Sequence, residues 1–263
     1  DDDELFSDDE PDFGPSSDAP AALLSPRTTE KLIGHEGIEK QLLHMYQQGR
    51  FPHGLIFSGP AGVGKSVMAF RLARFLFAQA EKVDNGPSLF GDAPEPPKSL
   101  YVAADNPIFH RVASGGNQDL WVVERPIDDK TGRQKGSVPV DEIRKIAPFL
   151  RMTSSVQGGW RVVIVDDADT MTRSSQNSLL KILEEPPERS LLILIAHRAG
   201  ALLPTVYSRC VHIPFAGLPD APITEALQGR VDKNLIPQIV TMAEGSLGQA
   251  YDYASPENAD LIN

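Results

Sequence analysis

The stretch FSGPAGVGKSVMAF, Phe57 to Phe70, places Gly59, four residues, and then Gly64-Lys65-Ser66 in one short run. This spacing lets successive backbone N–H groups point at a phosphate. A lysine ammonium then faces the β- and γ-phosphates, and a serine hydroxyl is free to ligate Mg²⁺. The motif has force only with a strand before it and a helix after it, and both are predicted. HGLIFSG (53–59) is a short apolar strand running straight into the glycines, and SVMAFRLARFLFAQA (66–80) is a strongly apolar helix.

Working outward, the same alternation repeats. DLWVVERP (119–126), WRVVIVDDAD (160–169), SLLILIAH (190–197) and RCVHIPF (209–215) read as further strands. The helices lie within 28–49, around IEKQLLHMYQQG, in VDEIRKIAPFL (140–150) and in SSQNSLLKILEEPP (174–187), which Pro186-Pro187 stops. Strands that are apolar throughout belong in a parallel sheet covered on both faces. The fold class is therefore α/β, a P-loop domain with a central parallel sheet, expected over residues 28–216. After Gly217 the pattern becomes helical (APITEALQG, NLIPQIVTMAEG, SLGQAYDYA), which predicts a small helical second domain over 217–263. Residues 82–100 hold Pro87, Pro94, Pro96 and Pro97 and read as a loop or insertion.

A chain of 263 residues with 41% hydrophobic side chains can bury a sizeable core. No apolar run approaches the roughly 18 residues of a membrane span, so no membrane partner is expected. The single cysteine, Cys210, allows no intramolecular disulfide and no multi-cysteine zinc site; a reducing cytoplasm fits best. The formal net charge of −11 is concentrated at one end. Residues 1–20 carry nine acidic side chains and no basic one, and without them the charge is −2. An acidic, disordered tail over 1–27 is expected, with Leu5 and Phe6 the candidates for docking a partner. The nearly neutral remainder gives no electrostatic case for strong stand-alone DNA binding.

A P-loop needs an acid at the end of another strand to hold Mg²⁺. VVIVDDAD supplies Asp166 there, with Asp167 next to it. An acid in the second position can orient an attacking water if its carboxylate reaches; otherwise Asp167 is a solvated loop acid or a helix cap. Arg209, in Ser208-Arg209-Cys210, is read from physics alone as a surface ion pair, or as an arginine offered to a phosphate on another subunit. His197 is either a phosphate hydrogen-bonder or a structural loop histidine.

The runs LIGHEGIEKQL (32–42), GRFPHGLIFSGPAGVGKS (49–66), VVIVDDADTMTRSSQNSLLKILEEPP (162–187) and LLPTVYSRC (202–210) resemble the bacterial clamp-loader subunits of the AAA+ class, most of all the delta-prime subunits of DNA polymerase III. The similarity covers about residues 30–255. It implies an AAA+ domain, a helical lid and a helical collar that carries pentamer assembly. The given sequence reaches only the lid, so the expectation is a collar that is missing or truncated. The resemblance assigns Gly59, Gly62, Gly64, Lys65 and Ser66 to the phosphate loop for ATP or ADP with Mg²⁺. It assigns Asp166 to the metal and Arg209 to an arginine finger inserted into a neighbour's ATP site. The implied partners are the ATPase and delta subunits and, through the assembly, the sliding clamp and primed DNA.

Three positions depart from the hydrolysing relatives. Asp167 stands where they carry Glu, and Gly248 in GSLGQA stands where their lid carries an arginine that senses the γ-phosphate. IAHRAG leaves Ala196 and His197 where a polar sensor residue belongs. The four zinc-binding cysteines of many relatives are absent, so no zinc site is expected. The expectation is a structural subunit that binds nucleotide without self-driven hydrolysis and has no polymerase activity of its own. The alternative is an autonomous ATPase motor subunit, favoured by Lys65, Ser66 and Asp166 and opposed by Asp167 and Gly248.

Overall fold

The computed structural model describes residues 25–84, 96–127 and 132–255. The acidic run 1–20, most of the Pro-rich stretch and residues 256–263 lie outside the described residues.

All five predicted strands form, as β1 Gly54–Ser58, β2 Leu120–Val123, β3 Arg161–Val165, β4 Ser190–Ala196 and β5 Val211–Pro214. They make one sheet in the order β2-β3-β4-β1-β5, and every pairing is parallel. Around it lie α1 Glu36–Gln47, α2 Lys65–Asp84, α3 Pro107–Ala113, α4 Val140–Arg151, α5 Arg173–Glu184 and the single turn α6 Pro204–Tyr207. Three further helices, α7 Asp220–Leu227, α8 Ile236–Ala243 and α9 Leu247–Tyr253, follow.

The strands are apolar throughout because both faces are covered. Leu55 and Phe57 of β1 pack with α1, α2 and α3, whereas Ile56 between them packs with the side of α4, α5 and α6. β3 divides the same way, with Val162 and Ile164 on the first face and Val163 and Val165 on the second. Full burial of such a side chain contributes about 1.5–3 kcal/mol, so strand register and helix placement fix one another. The helices α7, α8 and α9 close over a third cluster built on Leu218, Ile223, Leu227, Ile239 and Ala243.

Two local features differ from the sequence reading. The first helix starts only at Glu36, because Gly34 and His35 before it are both left-handed, with φ of 72° and 63°. The helix α2 runs to Asp84, into the first residues of the expected insertion. Its apolar run also hides two buried cations. Arg74 stacks 4.4 Å above the Phe109 ring and donates to the Arg27 and Thr29 carbonyls. Arg71 binds the Glu39 carboxylate, which also accepts from Leu100 N–H. Together they tie the segment entering the fold to the central helix. Ser25–Arg27, at the end of the expected tail, pack on this body through a turn from Thr28 N–H to Ser25 O and the stacking of Arg27 on Phe70.

The strand order positions the site. The connection leaving β1 passes over the α2 face and the one leaving β4 passes over the α6 face, although β1 and β4 are neighbours. A crevice opens where adjacent connections part to opposite faces, at the carboxyl ends of the strands.

Candidate nucleotide site

That crevice gathers the phosphate loop after β1, Asp166 and Asp167 after β3, His197 after β4 and Arg125 after β2. The loop is held from several sides. Gly59, with φ of 143°, lies so close to the Phe215 carbonyl that a Cβ would stand 2.1 Å from its oxygen. His35 Nε2 lies 2.8 Å from Val63 O, and its ring meets the edge of Phe215.

Lys65 is almost wholly buried and turned back on its own loop. Its ammonium donates to Gly59 O at 2.7 Å and Pro60 O at 2.5 Å and lies 3.2 Å from His197 Nδ1. Burial lowers its pKa, against the upward pull of Asp166, Asp169 and Asp167. Ser66 Oγ donates to Asp166 Oδ2 at 3.2 Å. Burial, followed by the neighbouring Asp167 charge, raises the Asp166 pKa. The two oxygens assigned to Mg²⁺ are therefore adjacent, and the acid is a desolvated carboxylate that a cation would stabilise. This donor set fits Mg²⁺, which takes one or two protein oxygens together with phosphates and water.

Asp167 is neither a free base, nor a solvated acid, nor a side-chain cap. It adopts the left-handed conformation with φ of 51°, and no cap hydrogen bond forms to the short helical turn that follows. Its carboxylate accepts from Arg125 Nε at 2.7 Å and from His197 Nε2 at 2.9 Å. The His197 hydrogen bond, ahead of Arg125, holds its pKa below the usual carboxylate range. The same bond raises the pKa of His197. His197 is thus engaged within the protein: a neutral imidazole protonated on Nε2 donates to Asp167 and accepts from Lys65 through Nδ1. Arg125 escaped the sequence reading. The sign available was its place at the carboxyl end of a parallel strand, the edge where such sites collect. Beside the carboxylates, a cavity of about 230 Å³ is lined by Arg27, Phe70, Arg125, Asp166 and Asp167, among others.

Gly248 heads α9 directly over the loop. Its N–H donates to Gly62 O at 2.9 Å, and a Cβ on Gly248 would lie 2.9 Å from Gly62 Cα. The start of α9 therefore meets the loop backbone to backbone, with no space for a side chain at this position.

Arg209 is not part of this cluster. Pairing of Leu55 with Val211 puts it at the amino end of β5, the opposite edge of the sheet from the loop. At about 3.3 Å per residue the separation is about 20 Å, beyond the reach of an arginine. Its guanidinium lies at the surface, 2.8 Å from Glu184 and 2.9 Å from the Thr205 carbonyl. This is the surface ion pair expected from physics alone. Cys210, beside it, is partly buried against the cluster that holds the α5 and α6 side chains, and burial pushes its thiol up to about 12.

The family model described as DNA polymerase III, delta subunit, matches residues 34–219. The chain belongs to that family. This DNA polymerase III subunit family member is 31% identical over 159 residues to DNA polymerase III subunit delta' of Pseudomonas aeruginosa, a match covering 60% of this chain and 42% of the relative. It is 29% identical over 225 residues to DNA polymerase III subunit tau of Bacillus subtilis, covering 86% of this chain and 35% of that one. The chain thus spans well under half the length of these curated relatives. Among solved structures, a point variant of RuvB from Thermotoga maritima superposes with a TM-score of 0.53 at 14% identity, covering 88% of this chain and 64% of that one. At that identity the likeness speaks for the fold alone. Among the described residues, no helix is long and apolar enough to cross a membrane.

Proposed function

We propose that this family member works as a delta-prime-like clamp-loader subunit, lending Arg209 to the ATP site of a neighbouring subunit. It would act in the cytoplasm beside the ATPase and delta subunits and help load the sliding clamp onto primed DNA. Residues 28–216 would form its AAA+ domain and 217–263 its lid. The observation that carries the reading is the place of Arg209: surface-exposed, at the sheet edge away from its own loop, and so available only to another chain. A trans arginine stabilises charge on the transferring phosphoryl group.

Its own loop, with Gly59, Gly62, Gly64, Lys65, Ser66 and Asp166, would hold ATP or ADP with Mg²⁺ without turning it over. The engagement of Asp167 by Arg125 and His197 supports this, since the carboxylate that would need to face a water is already held by two donors of the protein itself. The test is DNA-stimulated ATP turnover by the assembled complex. Arg209→Ala should lower it by at least about tenfold, below even the low end of what such an arginine contributes. Unchanged turnover would remove the finger assignment.

The convergence of Lys65, Ser66 and Asp166 favours a second reading, an autonomous ATPase. Lys65-dependent hydrolysis by the isolated chain would establish it.

A further inference from the structure

Arg209 follows a single helical turn, and one turn of helix does not hold itself in place. Val206 anchors α6 inward, in the core. On the outer side a chain of three side chains does so. Tyr207 packs on His212 with ring centroids 5.0 Å apart, and its hydroxyl lies 2.6 Å from His212 Nδ1. His212 Nε2 lies 2.5 Å from Ser58 Oγ. Ser58 is the nearly buried last residue of β1, next to Gly59. A neutral imidazole satisfies the whole line, accepting on one nitrogen and donating on the other.

We propose that Tyr207 and His212 are positioning residues for Arg209, fixing its backbone to the neighbouring strand β1 through Ser58. This inference rests on the reading of Arg209 as an arginine used in trans. The guanidinium is bound to Glu184 in this chain and must leave it to meet a phosphate. The swing is productive only if the Arg209 backbone stays put, because small displacements of a group that stabilises the transition state are costly in rate. The Arg209–Glu184 pair cannot supply that fixation, since it is the contact to be broken. The Tyr207–His212–Ser58 line survives the swing unaltered.

The experiment compares complexes assembled with wild-type chain, Arg209→Ala, Tyr207→Phe, His212→Leu and the double variant Arg209→Ala/Tyr207→Phe. Tyr207→Phe keeps the ring and removes only the hydroxyl, so it decides the matter even where His212→Leu folds poorly. It should lower DNA-stimulated kcat about threefold to tenfold, with KM for ATP, subunit assembly and the melting temperature of the chain unchanged. In the double variant it should add nothing to Arg209→Ala, because it acts through that residue. If Arg209→Ala lowers turnover while Tyr207→Phe does not, the positioning role is overturned and the finger stands. A double variant slower than Arg209→Ala alone also overturns it. If Arg209→Ala itself has no effect, the finger reading fails and this inference fails with it.

Discussion

Gly248 in α9 and Gly62 of the glycine-rich loop are joined backbone to backbone, Gly248 N–H to Gly62 O at 2.9 Å. Each glycine makes room for the other. A Cβ on Gly62 would fall 2.3 Å from Ser246 Oγ and 3.0 Å from Gly248 Cα. Glycine at 248 therefore allows a contact that any side chain there would break.

It follows that Gly248→Arg should not create an ATPase. The added Cβ cannot be accommodated without moving either backbone, and overpacking of this kind costs about 1–3 kcal/mol. Urea denaturation should show that loss, and turnover of the isolated chain should stay at the wild-type level. Gained turnover without a stability loss would contradict the contact as described.

Lys65 is held by the Gly59 and Pro60 carbonyls. A bound phosphate must draw the ammonium away from them. Titration calorimetry with ATP-Mg²⁺ should show binding by the wild-type chain that Lys65→Ala weakens by at least about tenfold, the loss of one charge-assisted contact. Equal heats from both proteins would mean that the lysine serves only to brace its own loop.

Asp167 joins two donors that would otherwise face each other across the crevice. Asp167→Ala should leave Arg125 and His197 without their carboxylate and, because both side chains are partly solvated, destabilise the fold by no more than about 1 kcal/mol. Asp167→Glu should still give no turnover by the isolated chain, since the longer carboxylate meets the same two partners. Hydrolysis by that variant would show that side-chain length alone had silenced the site.

The His197–Asp167 pair also sets a pH dependence. The raised pKa of His197 gives stability that is complete below its unfolded-state value and is lost as pH rises through the folded one. The lowered pKa of Asp167 gives stability present above its unfolded value and lost as pH falls through the folded one. The pair therefore contributes most between about pH 4 and pH 6.5, the two unfolded-state values. The nearby Lys65 ammonium opposes it there. Melting temperatures of wild type and His197→Ala should differ most in that window and converge above it; a gap that widened toward alkaline pH would refute the assignment.

Much of this was legible in the sequence, though not evenly. The five strands and the phosphate loop were readable because each is written in contiguous residues, such as Gly54–Ser58 running into Gly59–Ser66. The start of α1 was not, because the left-handed His35 is held partly by its distant contact with Val63 O. The helix α3 and the short α6 were missed for want of length, since neither spans enough turns for an apolar period to emerge.

The sequence by itself determined the parallel α/β fold and the list of groups able to touch a nucleotide, because strand period and loop spacing are local. Only the tertiary structure decided how those groups are engaged. Arg125, Asp167, His197 and Lys65 follow, or lie just beyond, four different strands, and strand order alone makes them neighbours. The same register sends Arg209 to the far edge of the sheet. Pairing of this kind depends on which strands lie side by side, a property that no single segment of the chain contains.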